Sequence, residues 1–129
     1  MNDNRPAEEL PGIRLMSLLE TRLTEIIRQE SNNENHIHLY TTGDYWAAFE
    51  QSACLLCEAF PASETTIITS HTAYPFPVVM ATITDNELRT YTRKHILRKD
   101  NLEYKILSAP ALSFEHYREW HNREVQEFL

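Results

Sequence analysis

Glycine is scarce in this sequence, with only Gly12 and Gly43 among 129 residues. A phosphate-binding P-loop needs two closely spaced glycines and a dinucleotide-binding fingerprint needs a third, so both nucleotide motifs are excluded. A chain body with one glycine places it where the backbone turns tightly or adopts positive φ. Gly43 follows the strand-like run 37–42 and precedes two adjacent aromatic residues, Tyr45 and Trp46. The sequence therefore predicts a tight strand-to-helix junction at Gly43.

Cysteines and long apolar runs are also few. Because Cys54 and Cys57 are the only cysteines, no disulfide framework can be argued. No apolar run approaches the roughly 18 residues that a membrane-spanning helix requires. The first residues carry neither a basic region nor an apolar stretch, so we expect no signal peptide. These absences predict a cytoplasmic protein without membrane association.

Basic residues are outnumbered, with 12 Lys and Arg against 19 Asp and Glu and a net charge of −7. This balance argues against a general nucleic-acid binder, because affinity for DNA depends largely on cations at the phosphates. The charge is uneven, however. Segment 88–99 has no acidic residue and carries five cations, which leaves −12 on the rest of the chain. The five cations are Arg89, Arg93, Lys94, Arg98 and Lys99.

The hydrophobic pattern predicts alternating helices and strands. The predicted helices cover 13–30, 44–60, 85–99 and 114–128, and the predicted strands cover 36–41, 65–70, 76–83 and 102–108. This order gives a β-α-β-β-α-β core with a mixed or antiparallel four-stranded sheet, flanked by an N-terminal and a C-terminal helix. We therefore predict a flexible tail at 1–11 and a single α+β domain over 12–129, with both internal helices on one face of the sheet.

Metal and cofactor sites find little support in the sequence. Cys54 and Cys57 have the spacing of half a zinc site, but structural zinc normally takes four ligands and no second cysteine pair exists. Their mid-helix position also differs from that of redox-active pairs, which favour a helix N-terminus. His36 and His38 share one face of a strand without an identifiable third ligand. We expect structural cysteines, no metal site and no cofactor.

Catalysis is not expected either. Ser70 and His71 are adjacent in sequence, which does not supply the geometry of a nucleophile and its base, and no nucleophile-elbow motif occurs. The carboxylates are distributed over helix faces without a convincing pair. The sequence therefore predicts no catalytic residue and a protein that is not an enzyme.

Binding remains as the function to consider, at the basic segment and at Tyr45. The five cations can form a solubilising face that complements the C-terminal dipole of a helix, or they can contact an anion or nucleic acid. Trp46 falls on the apolar stripe of its predicted helix and is expected in the core. Tyr45 lies about 100° away around that helix and is free to face outward.

The residues around Gly43 resemble a motif in the N-terminal, mismatch-reading domain of the MutS mismatch-repair family. In that family a strand ends in a Gly-Asp-Phe-Tyr-Glu-Leu-Phe-like run that opens a helix, and residues 43–49 here are Gly-Asp-Tyr-Trp-Ala-Ala-Phe. Residues 80–84, Met-Ala-Thr-Ile-Thr, are similar to the family's Met-Ala-Gly-Ile-Pro-like segment. The resemblance covers residues 37–107, so the family-like core spans about 36–108.

The resemblance implies a particular mode of DNA contact. In the family, the Phe wedges beside a mispaired base from the minor groove and a nearby Glu hydrogen-bonds that base. Such wedges unstack one base step and kink the duplex. The matching positions here are Tyr45, whose ring can still stack, and Ala47, which has no hydrogen-bonding side chain.

Two functions follow as hypotheses. The first is a non-catalytic binding module, similar to the MutS domain, that contacts nucleic acid. Its candidate binding residues are Tyr45, Arg89, Arg93, Lys94, Arg98 and Lys99. The alternative is a protein–protein adaptor or small regulatory subunit that keeps the scaffold without DNA binding and takes an acidic protein partner. Ala47 and the acidic net charge favour this alternative, and the sequence leaves the oligomeric state open.

Overall fold

The computed structural model describes residues 12–69 and 74–129. Within these ranges the chain forms one α+β domain of four helices and a six-stranded antiparallel sheet. The predicted α+β class is confirmed. The sheet has two strands more than predicted, and all of its strand pairs are antiparallel. The predicted tail at 1–11 and the Ser70–His71 pair lie outside the described residues.

The first helix and the first strand have the predicted bounds. Helix α1 spans Ile13–Glu30 and strand β1 spans His36–Thr41. The apolar stripe of α1 buries Leu19, Leu23 and Ile26 against the sheet. This agreement reflects the strength of the pattern, because apolar residues at intervals of three and four produce a single buried helix face.

The segment predicted as a helix over 44–60 contains a strand and a shorter helix. Strand β2 spans Tyr45–Phe49 and helix α2 spans Gln51–Ala59. The helix prediction is wrong for residues 44–49 because β2 is a central strand, and its last four residues are all buried. A strand covered on both faces lacks polar alternation, so its apolar spacing can match that of a helix.

The middle of the chain follows the predicted order more closely. Strand β3 spans Glu64–Ile68, strand β4 spans Val78–Thr84 and helix α3 begins at once with Asp85–Thr92. Residues 84–87, Thr-Asp-Asn-Glu, have the capping-box pattern, and the structure forms it. The Glu87 backbone N–H donates to Thr84 Oγ1 at 3.1 Å, and the Thr84 N–H donates to Glu87 Oε1 at 2.8 Å.

The end of the chain adds a strand that the sequence did not predict. Strand β5 spans Leu97–Asp100, strand β6 spans Tyr104–Ser108 and helix α4 spans Phe114–Phe128. The helix predicted over 85–99 ends at Thr92, so the prediction is wrong for 93–99. Arg93 and Lys94 follow the helix, and Arg98 and Lys99 lie on a strand. Backbone pairing of β5 with β6, across a register irregularity, overrides the local helical pattern.

The sheet is the middle of three layers, with strand order β3-β4-β2-β1-β6-β5. Helix α1 covers one face, where Leu23, Tyr40 and Phe49 are buried together. Helices α2, α3 and α4 cover the other face over a core that includes Trp46 and Leu88. The prediction that the two internal helices share one sheet face is thus confirmed. Strands β3 and β5 form the two edges.

Candidate functional site

Gly43 forms the turn of the β1–β2 hairpin. Gly43 and Asp44 are the two central residues, and the Thr42 N–H donates to the Tyr45 carbonyl at 2.9 Å. Gly43 has φ +100° and is the residue of this turn with positive φ, as in turns of type II′. A Cβ at Gly43 would lie 3.6 Å from Arg14 Cδ, so backbone conformation rather than space requires the glycine. The tight turn is confirmed, although it joins two strands.

The two aromatic residues after this turn have the predicted exposures. Tyr45 is 49% exposed and Trp46 is 6% exposed. Tyr45 lines a groove of about 500 Å³ whose other lining residues include Asp44 and Glu64. A nucleic acid at this groove would meet these two carboxylates, which repel phosphate, and one cation, Arg14, which also lines the groove. Ala47, which the sequence resemblance aligns with the family's Glu, is fully buried.

Trp46 connects the hairpin to the start of α3. Its indole N–H donates to Asp85 Oδ1 at 3.0 Å, and Arg89 Nε donates to Asp85 Oδ2 at 2.7 Å. Lys105 Nζ lies 5.2 Å from the centre of the Trp46 ring. The hydrogen bond from Trp46, followed by the contacts with Arg89, lowers the pKa of Asp85. Arg89 is therefore engaged in an ion pair on its own helix.

Arg93 and Lys94 lie in the turn between α3 and β5 and are exposed. Their side chains make no hydrogen bond or ion pair with any other described residue. Ile96, which ends this turn, is 88% exposed. The turn thus presents two uncommitted cations and an apolar side chain to solvent.

Arg98 and Lys99 continue this surface along β5. Arg98 Nε donates to Ser108 Oγ on β6 at 2.7 Å, and Lys99 Nζ lies 5.5 Å from the centre of the Tyr104 ring. Both cations are exposed. Since β5 pairs only with β6 within the sheet, its other edge is open among the described residues. We refer to residues 93–100 as the basic edge.

A groove of about 520 Å³ separates α3 from the β5–β6 hairpin. Arg89 lines it from α3, Leu97 and Leu102 line it from the hairpin, and Lys105 and Trp46 form part of its wall. Leu102 is 91% exposed. Asp85 and Asp100 also line the groove and are paired with Arg89 and Lys105, so the groove offers mainly apolar contacts beside the basic edge.

Four of the five predicted cations lie along residues 93–99, while Arg89 lies on α3 and Tyr45 lies on another strand. None of the five lines the groove at Tyr45. Tyr45 faces the α1 side of the sheet, because residues two apart on a strand share a face and Ala47 packs on that side. Arg89 lies on the opposite side, with α3. Strands β1 and β6 lie between Tyr45 and β5.

A buried polar network, which the sequence pattern did not reveal, joins the end of α1 to the start of α2. Glu30 is fully buried and accepts hydrogen bonds from the Ser52 hydroxyl at 2.6 Å, the Ser52 N–H at 2.8 Å and Asn33 Nδ2 at 3.0 Å. His38 N–H donates to Ser52 Oγ at 3.0 Å, and His38 Nδ1 lies 2.5 Å from the Tyr104 hydroxyl. Each group lies on a different element, so no spacing rule could find the network.

Burial shifts the pKa of two members of this network, Glu30 and His38. Desolvation raises the pKa of Glu30 to about 7, against the hydrogen bonds from Asn33 and Ser52 that favour the carboxylate. Desolvation, with a smaller contribution from His36, lowers the pKa of His38 to about 4. His38 is therefore neutral at pH 7, where Glu30 titrates.

Glu50, between β2 and α2, is the second polar feature that the sequence pattern missed. Its φ of 53° and ψ of −119° are unusual for a residue with a side chain. Glu50 Oε1 accepts from the Val79 N–H at 3.2 Å, while Glu50 Oε2 accepts from the Tyr117 hydroxyl and lies 2.9 Å from His121 Nε2. The carboxylate is buried and bonded within the protein, so it stabilises the β2–α2 turn and its junction with α4.

Comparisons with protein-family models, with curated proteins and with solved structures each return no match for this chain. Among the helices of the described residues, none is both long and apolar enough to cross a bilayer.

Proposed function

We propose that this protein is a non-catalytic binding module that holds an extended acidic segment of a partner protein along the basic edge. The observation that carries the proposal is the open edge of β5, which presents Arg98 and Lys99 beside the uncommitted Arg93 and Lys94. This proposal corresponds to the adaptor function that the sequence offered as the alternative to nucleic-acid binding.

Backbone pairing would supply the affinity at this edge. An edge strand presents unpaired N–H and C=O groups, and an extended peptide can add to it as a further strand. The exposed side chains of Ile96 and Leu102 lie at the two ends of β5. They would contact apolar side chains of the bound segment. The groove between α3 and the β5–β6 hairpin would accept an apolar side chain of that segment that points toward α3.

Charge would supply the specificity. A second copy of this chain that paired at β5 would place Arg98 and Lys99 against like charges, which is unfavourable across a strand pair. An acidic segment would instead place carboxylates opposite them. The other edge of the sheet is different in kind, since β3 begins with Glu64 and carries no cation.

A protein partner is favoured over nucleic acid by the position of Tyr45. A wedge must act together with the cations that hold the phosphates. Tyr45 lies apart from the basic edge, in a groove lined by two carboxylates and a single cation, Arg14. The rest of the chain is acidic, which further opposes a long polyanion. A short acidic segment meets only the basic edge.

The proposal can be tested with a fluorescein-labelled synthetic peptide of alternating Glu and Val residues. Fluorescence anisotropy at low salt should show saturable binding that weakens as salt is added. Arg98→Glu/Lys99→Glu should weaken binding by at least about tenfold, which corresponds to about 1.4 kcal/mol. Arg28→Glu/Arg118→Glu, which changes the net charge equally on α1 and α4, should bind as the wild type does.

Two outcomes would contradict the proposal. One is an equal loss of affinity in both double variants, which would indicate a general charge effect. The other is binding of a DNA duplex in place of the peptide, with loss of that binding in Tyr45→Ala, which would favour the nucleic-acid hypothesis. Circular dichroism of each variant establishes that it is folded.

A further inference from the structure

A cluster of potential metal ligands lies where α2 meets α4, away from the basic edge. Its members are Cys54, Glu58 and His116. Cys54 and Glu58 are four positions apart on α2, so they share a helix face. His116 belongs to the first turn of α4, where its backbone N–H donates to the N-cap Ser113 at 3.1 Å. This capping hydrogen bond thus fixes the backbone position from which the His116 side chain extends.

The donor atoms of these three residues already lie close together. The Cys54 sulfur, a Glu58 carboxylate oxygen and a His116 ring nitrogen are all within 4.8 Å of one another. His116 Nε2 lies 2.6 Å from Glu58 Oε2. The two helices therefore hold one sulfur, one oxygen and one nitrogen donor around a common point.

We propose that Cys54, Glu58 and His116 form a three-ligand site for a divalent transition-metal ion, with Zn²⁺ as the best fit. The site would join α2 to α4. It is independent of the acidic-segment binding proposed above.

The donor set decides the class of metal. Thiolate and imidazole ligands suit Zn²⁺ and its neighbours, whereas Mg²⁺ and Ca²⁺ prefer sites built of oxygen ligands. Zinc bonds of about 2.0–2.3 Å place tetrahedral ligands about 3.3–3.8 Å apart. Glu58 and His116 must separate slightly to reach that distance. Their side chains are 51% and 52% exposed, which leaves them free to adjust.

Exposure also determines what completes the coordination. Cys54 is fully buried, so it would bind the ion from the protein side. Glu58 and His116 border solvent, so water would take the fourth position, as in zinc sites with three protein ligands.

Carboxylates near the cluster favour a cation. Glu58 and Glu124 both act on the Cys54 thiol, and Arg123 opposes them. Cys54 would bind the ion as a thiolate, and its proton would leave to solvent.

The Cys-x-x-Cys spacing pairs Cys54 with Cys57, but Cys57 is not one of the three proposed ligands. Cys57 is half-buried and its thiol is hydrogen-bonded to Ser63. Among the described residues it does not belong to the cluster that surrounds Cys54. The partners of Cys54 are a glutamate on its own helix and a histidine far along the chain, which sequence spacing cannot indicate.

The experiment uses the full chain, stripped of metal with a chelator and then dialysed against Zn²⁺ or Mg²⁺. Elemental analysis should find about one zinc per chain and no retained magnesium. With Co²⁺ as the probe, a near-ultraviolet thiolate-to-cobalt charge-transfer band should appear. Zn²⁺ should raise the thermal unfolding temperature, and the same concentration of Mg²⁺ should not.

Variants at the three ligands and at a matched cysteine make the test specific. Cys54→Ser should abolish the cobalt band, whereas Cys57→Ser should keep it. Because Cys54 is buried and its replacement can disturb folding, Glu58→Gln and His116→Ala provide exposed alternatives. Each should weaken zinc binding by at least about tenfold.

Three results would overturn the site. These are substoichiometric zinc in the wild type, unchanged zinc affinity in Glu58→Gln/His116→Ala, or loss of the cobalt band in Cys57→Ser with its retention in Cys54→Ser. Each of these results is read from zinc content, zinc affinity or a cobalt spectrum. The test of the metal site therefore does not depend on peptide binding at the basic edge.

Discussion

Glu50 adopts backbone angles that L-amino acids rarely populate, and several side chains hold it there. Strain of this kind typically costs about 1–3 kcal/mol and persists only where the surroundings over-determine it. Here the surroundings are Val79, Tyr117 and His121, which all contact its carboxylate. Position 50 therefore combines an unfavourable backbone with favourable buried hydrogen bonds.

Replacing Glu50 should separate these two effects. Both Glu50→Ala and Glu50→Gly leave buried donors unpaired, which should cost about 1–3 kcal/mol in free energy of unfolding. Glycine relieves the strain at positive φ, so Glu50→Gly should be about 1 kcal/mol more stable than Glu50→Ala. Urea unfolding measures both differences.

Glu20, an exposed residue in the middle of α1, is the matched control for this comparison. At an ordinary helical position alanine is more stable than glycine by about 1 kcal/mol. The order of Glu20→Ala and Glu20→Gly should therefore be the reverse of that at position 50. If alanine were the more stable replacement at both positions, the strain at Glu50 would be refuted.

Glu30 and His38 should make opposite contributions to the pH dependence of stability. The pKa of Glu30 rises from 4.5 to about 7 on folding, so the folded protein binds the extra proton and stability falls as pH rises through that window. The pKa of His38 falls from 6.5 to about 4, so stability falls as pH drops through that window. Between pH 4.5 and 6.5 the two contributions largely cancel.

Single variants should reveal each contribution. Relative to wild type, the free energy of unfolding of Glu30→Gln should increase from pH 4.5 to 7, by up to about 3 kcal/mol. For His38→Asn the same difference should decrease from pH 4 to 6.5. Urea unfolding across this pH range measures both, and parallel curves for either variant and wild type would contradict the assigned shift.

Among the elements, α1 could be predicted to its end residues because its pattern allows one interpretation. The apolar stripe at intervals of three and four is bounded by a loop without apolar residues. The capping box at Thr84 and Glu87 was equally predictable, since its two hydrogen bonds are local. Features that depend on contacts within one helical turn could thus be predicted from this sequence.

β2 and β5 could not be predicted because their pairing partners decide them. β2 is a strand because β1 and β4 flank it, and burial on both faces removes the alternation that would identify it. β5 is short, polar and rich in cations, and only its pairing with β6 makes it a strand. The basic edge and the cluster around Cys54 depend on such long-range contacts. The sequence therefore located the cations without their arrangement and did not indicate Glu58 or His116 as partners of Cys54.

The turn of the β1–β2 hairpin contains Gly43, and the stability of this turn can be tested. Gly43→Ala should lower the free energy of unfolding by about 1 kcal/mol, because alanine tolerates positive φ poorly and no steric clash adds to the cost. Asp44→Ala, at a position of the same turn without positive φ, should cost less. Equal thermal stability of the two variants would contradict the assigned turn.

For the whole molecule, the charge distribution is the property most closely connected to the proposed function. A chain with a net charge of −7 concentrates five cations in residues 88–99. Folding places them on α3, the following turn and an open sheet edge. Charges of this kind on an edge strand also prevent uncontrolled association. The same residues would thus exclude other copies and select an acidic partner.

The most direct test of the central claim is amide hydrogen exchange on the full chain, with and without the Glu-Val peptide. In the free protein, the solvent-facing amides of β5 should exchange rapidly. With the peptide bound, protection should increase across the basic edge, residues 93–100, and remain unchanged along β3 and around Tyr45. Unchanged exchange at β5 under saturating peptide, or new protection at Tyr45 instead, would contradict the account.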